Sequence, residues 1–540
     1  MSASDDLSTV AARARDVIFD FDPVRATSSG VHDRDSLLPD FGRDSVDAHV
    51  RAVDDVLTAI DGIDDLDLAV DEQVDLEILR GHLVARAFDL TEIARHTWDP
   101  LTWDPASGLH ALAIRDFAPA SDRLASANAR LAAVPEFLDM AERTLGEMSA
   151  VHVETAMQRL SGFDAVLDEL SDLGPLDSDA VDAARTAVAV HGRWLSDRLS
   201  AARRDPRFGV RLYSASVWHH LDEEIAPVQV LERAEAHVDH VTARLREVSA
   251  EYLDESGRSP DVVRRALARA AVVDADDVVP AIESALKRAE QFVRDHDLLT
   301  VPHEVIRVGD MPRIHRGVAV AYCDAPGPLE PVGAPTYVAV APPPDAWSAD
   351  QVASFLREYN ADLLHDLTVH EAMPGHAVQL ARARLSTSSS LVRRIAPSGV
   401  FIEGWAVYAE ELMADRGYLP DDQPGADLRL RLQQLKMQAR MTLNAILDAR
   451  VHGGDIDEVG AIELLRRRGF QEESEAAGKW RRALLTAGQL PTYFVGWWGV
   501  RELIDDLRVL HPDWTDRAIH DLVLDQGSIG PRHLRATLGL

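Results

Sequence analysis

The sequence predicts a mostly α-helical protein with a small antiparallel β-sheet, and three features carry that expectation. Apolar residues recur at steps of three and four through most of the 540 residues, strand-like text is confined to a few short runs, and two of those runs flank a Pro/Gly-rich loop. The helical period is read at Val50 to Leu57, Leu66 to Leu90, Leu109 to Leu145, Ala180 to Leu199, Val228 to Leu253 and Val262 to Val293. The doublet Thr97-Trp98-Asp99-Pro100 and Thr102-Trp103-Asp104-Pro105 reads as two successive turns in a packed loop between helices.

Strand-like text falls at Phe208 to Tyr213, Val305 to Val308, Val318 to Tyr322 and Tyr337 to Val340. The last two are apolar and β-branched, and the loop Asp324 to Pro335 separates them. The segment Ala341 to Asp350 closes the sheet and offers Ser348 as an N-cap for the next helix. Asp421 and Asp422, between Pro420 and Pro424, read as a solvated turn. No long-period repeat and no mobile linker interrupts the chain. We therefore expect one continuous structural unit, with an N-terminal helical part over 1–205 and a catalytic helical part with the small β-sheet over 206–540.

Composition narrows the functional class. The chain has 56 Lys+Arg against 90 Asp+Glu, a formal charge of -34, and only three lysines, Lys287, Lys436 and Lys479. That balance argues against binding nucleic acid or an anionic membrane surface, both of which need basic side chains opposite phosphate. No run approaches the ~20 apolar residues of a membrane span, and the opening Met1-Ser2-Ala3-Ser4-Asp5-Asp6 lacks the pattern of a secretory signal. The single cysteine, Cys323, leaves no internal disulfide and no thiolate-only metal site. A cytoplasmic location is the expectation.

The chemistry-bearing text is Leu363 to His376, with a His-Glu pair at His370-Glu371 and a second histidine at His376. In a zinc-peptidase helix the two histidines stand four residues apart on one face, beside a Glu that acts as base. Here they stand six apart, which on an undistorted helix is about 120° apart and too far round for one tetrahedral ion. Pro374 and Gly375 supply a remedy. Proline clashes with the carbonyl four residues back and glycine can take positive φ, so a two-residue bulge could return His376 to the face of His370. A third piece begins 25 residues after His376, at Phe401-Ile402-Glu403-Gly404-Trp405-Ala406-Val407-Tyr408-Ala409-Glu410-Glu411-Leu412. Glu403, opening that helix, could complete a His2Glu set with water in the fourth position.

These residues resemble the bacterial domain of unknown function 885 family, whose members carry HExxPGH followed by EGWAxYxE. That family is similar to helical zinc metallopeptidases of the carboxypeptidase Taq type. Both motifs stand intact here, and the family's GQxxxYxxG appears as Gly488-Gln489-Leu490-Pro491-Thr492-Tyr493-Phe494-Val495-Gly496. The resemblance runs through most of the chain and is strongest from about 300 to 510. It implies a large helical body with a deep cleft, His370, His376 and Glu403 as ligands of one Zn2+ or another divalent ion, and Glu371 as general base. It also implies a short edge strand beside the site, for which Tyr337 to Val340 is the candidate, with Tyr337 among the substrate-binding residues. One departure stands out. Where many members read RxxxDxxxH, this chain has Arg440, Asn444 and Asp448, a polar stripe on an otherwise apolar helix.

The function expected is zinc-dependent hydrolysis of peptide bonds in short peptides, by an exopeptidase of carboxypeptidase-like type. Tyr493, with Tyr408 as the weaker candidate, is expected to donate to the developing oxyanion. Arg440, Arg481 or Arg482 is expected to hold a substrate carboxylate, although Arg481 and Arg482 could equally answer Glu472 and Glu475. Asp366 is either a partner orienting a ligand histidine or a solvent-facing acid. The partners expected are a short peptide or amide substrate, with no nucleic acid and no membrane, and a homodimer is left open. Two alternatives stand beside this reading: a metal-dependent hydrolase of a non-peptide amide or amino-acid conjugate, favoured by Asn444 and Asp448, and a non-catalytic helical scaffold stabilised by metal, which retention of Glu371 disfavours.

Overall fold

The computed structural model describes residues 2–221, 223, 225–311, 321–331, 333–341, 343, 347–418 and 425–540. The protein is mostly helical with a three-stranded mixed sheet. It divides into two compact units. The first is Met1–Pro206 with two short returns of the chain, Pro326–Ala334 and Ser390–Ala396; the second is Arg207–Ala325, Pro335–Ser389 and Pro397–Leu540.

In the first unit, the helix Ala3–Phe21 starts at Ser2, whose hydroxyl accepts the Asp5 N–H while the Asp5 carboxylate accepts the Ser2 N–H. It buries Leu7, Val10, Ala11, Ala14 and Ile18, the stripe that a 3.6-residue period places on one face. The Trp-Asp-Pro doublet forms the packed loop that its turn signals predict. Trp98 and Trp103 are buried, their indoles donating to the carbonyls of Ile93 and His96, and Asp99 and Asp104 accept the N–H groups of Leu101 and Ala106.

In the second unit the long helices Pro227–Leu253 and Ala426–Gly453 share a core of Val241, Leu245, Val248, Leu432, Leu435 and Ala439. The run Phe208 to Tyr213 is no strand. It enters the helix Gly209–His220, whose buried members Tyr213, Ser216 and Val217 show a helical period that six residues were too short to reveal. Ser348 caps Ala349–Glu358 as expected, in a capping box with Gln351.

The sheet departs from the expected antiparallel arrangement. Strands β1 (Ile306–Asp310), β2 (Ala321–Asp324) and β3 (Thr336–Val340) lie in the order β1-β3-β2. β3 pairs parallel with β1, from Ile306 with Thr336 to Asp310 with Val340, and antiparallel with β2, from Ala321 with Val340 to Asp324 with Tyr337. The strand expected at the edge is therefore central. Burial of the consecutive residues Val338, Ala339 and Val340 shows why, since a strand covered on both faces reads as a continuous apolar run. Residues 318–320 of the expected second strand and the Asp421-Asp422 turn lie outside the described residues. Among the described residues no helix is long and apolar enough to cross a membrane.

Candidate metal centre

The His-Glu helix, Ala361–Glu371, is started by Asn360, whose side chain accepts the Leu363 N–H. It ends at Ala372, and a second helix, His376–Leu385, starts with Gly375 as its N-cap. Between them the Thr368 carbonyl takes the N–H groups of Ala372 and Met373 at 3.0 and 3.1 Å, and the Val369 carbonyl takes that of Gly375 at 2.9 Å. The expected bulge in one continuous helix is thus a break between two helices. It brings His370 and His376 together, edge to face, with ring centroids 4.7 Å apart. Gly375 serves by close approach and not by positive φ: its φ is -73°, but a Cβ there would lie 2.0 Å from the His370 carbonyl oxygen.

Glu403 lies one turn inside the helix Gly399–Asp415, which Ser398 caps through the Phe401 N–H. Two contacts fix this helix against its neighbours. The Trp405 indole N–H donates to the Pro374 carbonyl at 2.9 Å, tying the helix to the break between the two histidines. Gly404 meets Gly496 of the helix Thr492–Leu510 backbone to backbone: a Cβ on Gly404 would lie 2.2 Å from the Gly496 carbonyl carbon. That crossing brings the first turn of the second helix, with Tyr493, towards Glu403.

The potential ligand atoms of His370, His376 and Glu403 all lie within 4.8 Å of one another. Glu403 Oε2 is 3.6 Å from His370 Nε2 and 3.5 Å from His376 Nε2, and it is buried with no hydrogen-bond partner. Tetrahedral ligands at bond lengths of about 2.1 Å stand about 3.4 Å apart, so both separations from Glu403 suit a zinc-like divalent ion. The ring of His370 is oriented for that role. Its Nδ1 donates to Glu410 Oε1 at 2.6 Å, which fixes the tautomer and leaves Nε2 bare towards Glu403. Burial opposes the charge on Glu403, but the two imidazoles hold its carboxyl well below the usual range.

Glu371 stands beside this cluster and is 9% exposed. Its Oε2 accepts the N–H of Cys323 at 3.0 Å, so β2, which among the described residues pairs only with β3, borders the site in place of β3. Burial pushes the Glu371 carboxyl above its ordinary value, against the pull of both imidazoles. Asp366 is buried, not solvent-facing, and burial together with the charge of Glu410 pushes its carboxyl well up. The acid touching His370 is Glu410, seven residues after Glu403 and so two turns along the same helix face, the spacing by which sequence reasoning could have given it a role. His365 faces elsewhere: its Nδ1 meets the Tyr418 hydroxyl at 3.1 Å, and burial pulls its pKa down to about 4.

Tyr493 is half-buried, and its hydroxyl accepts from Arg482 Nη2 at 3.3 Å. Burial raises its pKa first and the charge of Glu403 second, which places the phenol near the ligand cluster. Other expected site residues are occupied elsewhere. The Tyr408 hydroxyl bonds His520 Nε2 at 2.9 Å and accepts from Arg508 at 3.3 Å. Arg440 forms an ion pair with Glu475. Tyr337 lies in central β3, its hydroxyl 3.4 Å from Arg307 Nη1 and away from any free strand edge. Asp448 accepts the Gly488 N–H at 2.9 Å, and burial pushes its pKa up to about 7. Asn444, on the same stripe, keeps a buried side-chain oxygen with no hydrogen-bond partner.

Fold and site together define a mostly helical protein with a candidate His-His-Glu metal centre at a break between two helices. The chain belongs to the DUF885 family, bacterial proteins of unknown function, whose model matches residues 23–538. Two solved structures share the fold over their full lengths. One is a candidate lipoprotein of unknown function from Shewanella oneidensis, 26% identical, with a TM-score of 0.81, covering 99% of this chain and 100% of that one. The other is a candidate lipoprotein from Colwellia psychrerythraea, 16% identical, with a TM-score of 0.79, covering 100% of this chain and 99% of that one. No curated protein matches the chain.

Proposed function

We propose that the protein is a zinc-dependent hydrolase of peptide bonds, an exopeptidase of carboxypeptidase-like type acting on short peptides. The observation that carries this reading is Glu371: a buried carboxylate, raised above its usual range, next to three convergent N/O ligands. A purely structural metal site has no use for such a base. A divalent ion held by His370, His376 and Glu403 would supply Lewis acidity to water and to a carbonyl. Glu371 would take a proton at its carboxylate and deliver it to the leaving amine, while the Cys323 N–H keeps the carboxylate aimed. Tyr493 receives a hydrogen bond from Arg482, so its own O–H remains free to donate to a developing oxyanion. An extended substrate would lie along β2, the strand that borders Glu371 and that among the described residues has one free side.

Asn444 and the engaged Arg440 favour a second reading, hydrolysis of a non-peptide amide or an amino-acid conjugate by the same groups. Metal analysis of the purified, reconstituted protein tests both readings together. About one equivalent of zinc is expected, and less than about half would sink them. Glu371→Gln should retain the ion and lose hydrolysis by about 10²–10⁴-fold, and an active variant removes Glu371 from its role. A mixed dipeptide and tripeptide library read by mass spectrometry then separates peptides from other amides. The single cysteine and the absence of a signal-like opening favour the cytoplasm. The description of the two solved relatives as candidate lipoproteins favours the envelope instead, and cell fractionation decides between the two.

A further inference from the structure

Next to Tyr493, through Arg482, lies a group of largely buried charges drawn from three helices, Ala349–Glu358, Ala426–Gly453 and Glu473–Leu485. Its cations are Lys436, Arg440, Lys479 and Arg482, and its carboxylates are Glu358, Glu475 and Asp448. Two pairs close on themselves, Lys436 with Glu358 at 2.8 Å and Arg440 with Glu475. Asp448 is turned to the Gly488 N–H. Lys479 and Arg482 remain. Among the described residues neither forms an ion pair, and Lys479, only 7% exposed, has no hydrogen bond either. They stand three residues apart on one helix face, and Arg482 reaches Tyr493 at 3.3 Å and Gln489 at 3.5 Å.

Arg482 is half-buried with no ion-pair partner among the described residues, and burial together with the charge of Arg440 holds Lys479 well below its ordinary pKa, so a carboxylate bound here would pair the guanidinium and favour the charged lysine. Two of the three lysines in the whole sequence are in this group. We propose that Arg482, with Lys479 behind it, is the subsite that holds a carboxylate of the substrate beside Tyr493, and so determines specificity. This rests on the hydrolase reading of the neighbouring metal centre and deepens it: the substrate class is a peptide with a free carboxylate next to the scissile bond. Arg440, already paired, does not serve. The carboxylate can be the peptide's C-terminus or an acidic side chain, and the substrates of the test distinguish the two.

The test uses the zinc-loaded full chain and three substrates: Ala-Ala-Ala, its C-terminal amide, and Ala-Ala-Glu amide, whose only carboxylate is on a side chain. In the native protein kcat/KM for a carboxylate-bearing peptide should exceed that for Ala-Ala-Ala amide by about 30-fold or more, the worth of a charge-assisted bond. Arg482→Met should bring that ratio to within about threefold, Arg482→Lys should restore part of it, and Lys479→Met should lower it through KM. Melting temperatures confirm that each variant is folded. Equal cleavage of acid and amide by the native protein, or an equal loss for both in Arg482→Met, overturns the subsite and leaves the hydrolase reading standing. If the native protein cleaves none of the three, calorimetric titration with N-acetylalanine and N-acetylalaninamide decides. Acid-selective binding that Arg482→Met abolishes supports the subsite while the hydrolase reading falls, and binding with no such selectivity overturns it.

Discussion

Replacing Glu410 with Gln should weaken zinc binding without unfolding the protein. The carboxylate is 2% exposed and accepts the His370 Nδ1 proton at 2.6 Å, so it acts on the ion only through the imidazole. A hydrogen bond to a charged group is worth about 1.5–3 kcal/mol and a neutral one about 1, so the amide, which still offers an oxygen, should cost about 1–2 kcal/mol. That is a rise in Kd of about 5- to 30-fold, and Glu410→Ala, which leaves Nδ1 with no acceptor, should reach about 100-fold. Competition against a chromophoric chelator at fixed pH reads the change, with circular dichroism to confirm the fold. Glu411→Gln is the internal control. It is the next residue on the same helix, but its carboxylate accepts the Trp497 indole N–H at 2.6 Å and does not touch the ligands. Its zinc affinity should stay within about twofold of native. Unchanged affinity in Glu410→Gln, or an equal loss in both variants, would refute the claim that Glu410 orients His370.

Three further outcomes follow from the geometry. Tyr493→Phe should lower kcat by about 10²-fold with little change in zinc affinity, and a kcat within about threefold of native would remove the phenol from the oxyanion role. Asp448 should make the protein less stable as pH rises. Between the ordinary value of 3.8 and its raised value of about 7, the folded chain holds a proton that the unfolded chain has lost, so stability falls by up to about 1.4 kcal/mol per pH unit. Denaturant titrations of native and Asp448→Asn proteins from pH 4 to 7 should show their difference shifting against the native chain, and a flat difference contradicts the assignment. Gly496→Ala would put a Cβ 2.0 Å from the Val400 carbonyl oxygen and 2.9 Å from Gly404 Cα, so a loss of about 3 kcal/mol or more is expected; a melting temperature like the native one would mean the crossing is not as tight as described.

Period and composition made the helices legible because an amphipathic stripe leaves its spacing in the text over many turns. The three candidate ligands were legible because their residue types and order match the motifs. What misled were features set by tertiary partners. Phe208 to Tyr213 is apolar enough for a strand, and only residues beyond the run, Ser216 and Val217, reveal the helix. β3 was taken for an edge because nothing local to Tyr337 records that β1, some thirty residues earlier, pairs along its other side. The ion pair of Arg440 is not legible locally because Glu475 stands 35 residues away on another helix. Lys479 was hidden by the converse, and Arg482, a candidate in the sequence, could not be told there from Arg440 and Arg481: that a cation lacks a partner can be read only when everything around it is in place.

The segment from Glu403 to Glu410 shows how much of the site one helix specifies. Successive positions point in different directions, about 100° apart, so each can meet a different neighbour. Glu403 faces the two histidines, Gly404 admits the backbone of the helix that carries Tyr493, and Trp405 holds the Pro374 carbonyl. Tyr408 reaches His520 on the buried side, and Glu410 returns two turns later to the face of Glu403 to fix His370. Of these five residues only Glu403 offers a group to an ion; Glu410 acts through His370, and Gly404, Trp405 and Tyr408 meet neighbouring parts of the fold. They decide where the break at Pro374-Gly375 and the first turn of the Tyr493 helix must lie. Changes at Gly404 or Trp405 should therefore act on metal affinity through the separation of His370, His376 and Glu403, and the glycine and tryptophan of the motif are read as positioning residues for the candidate metal centre.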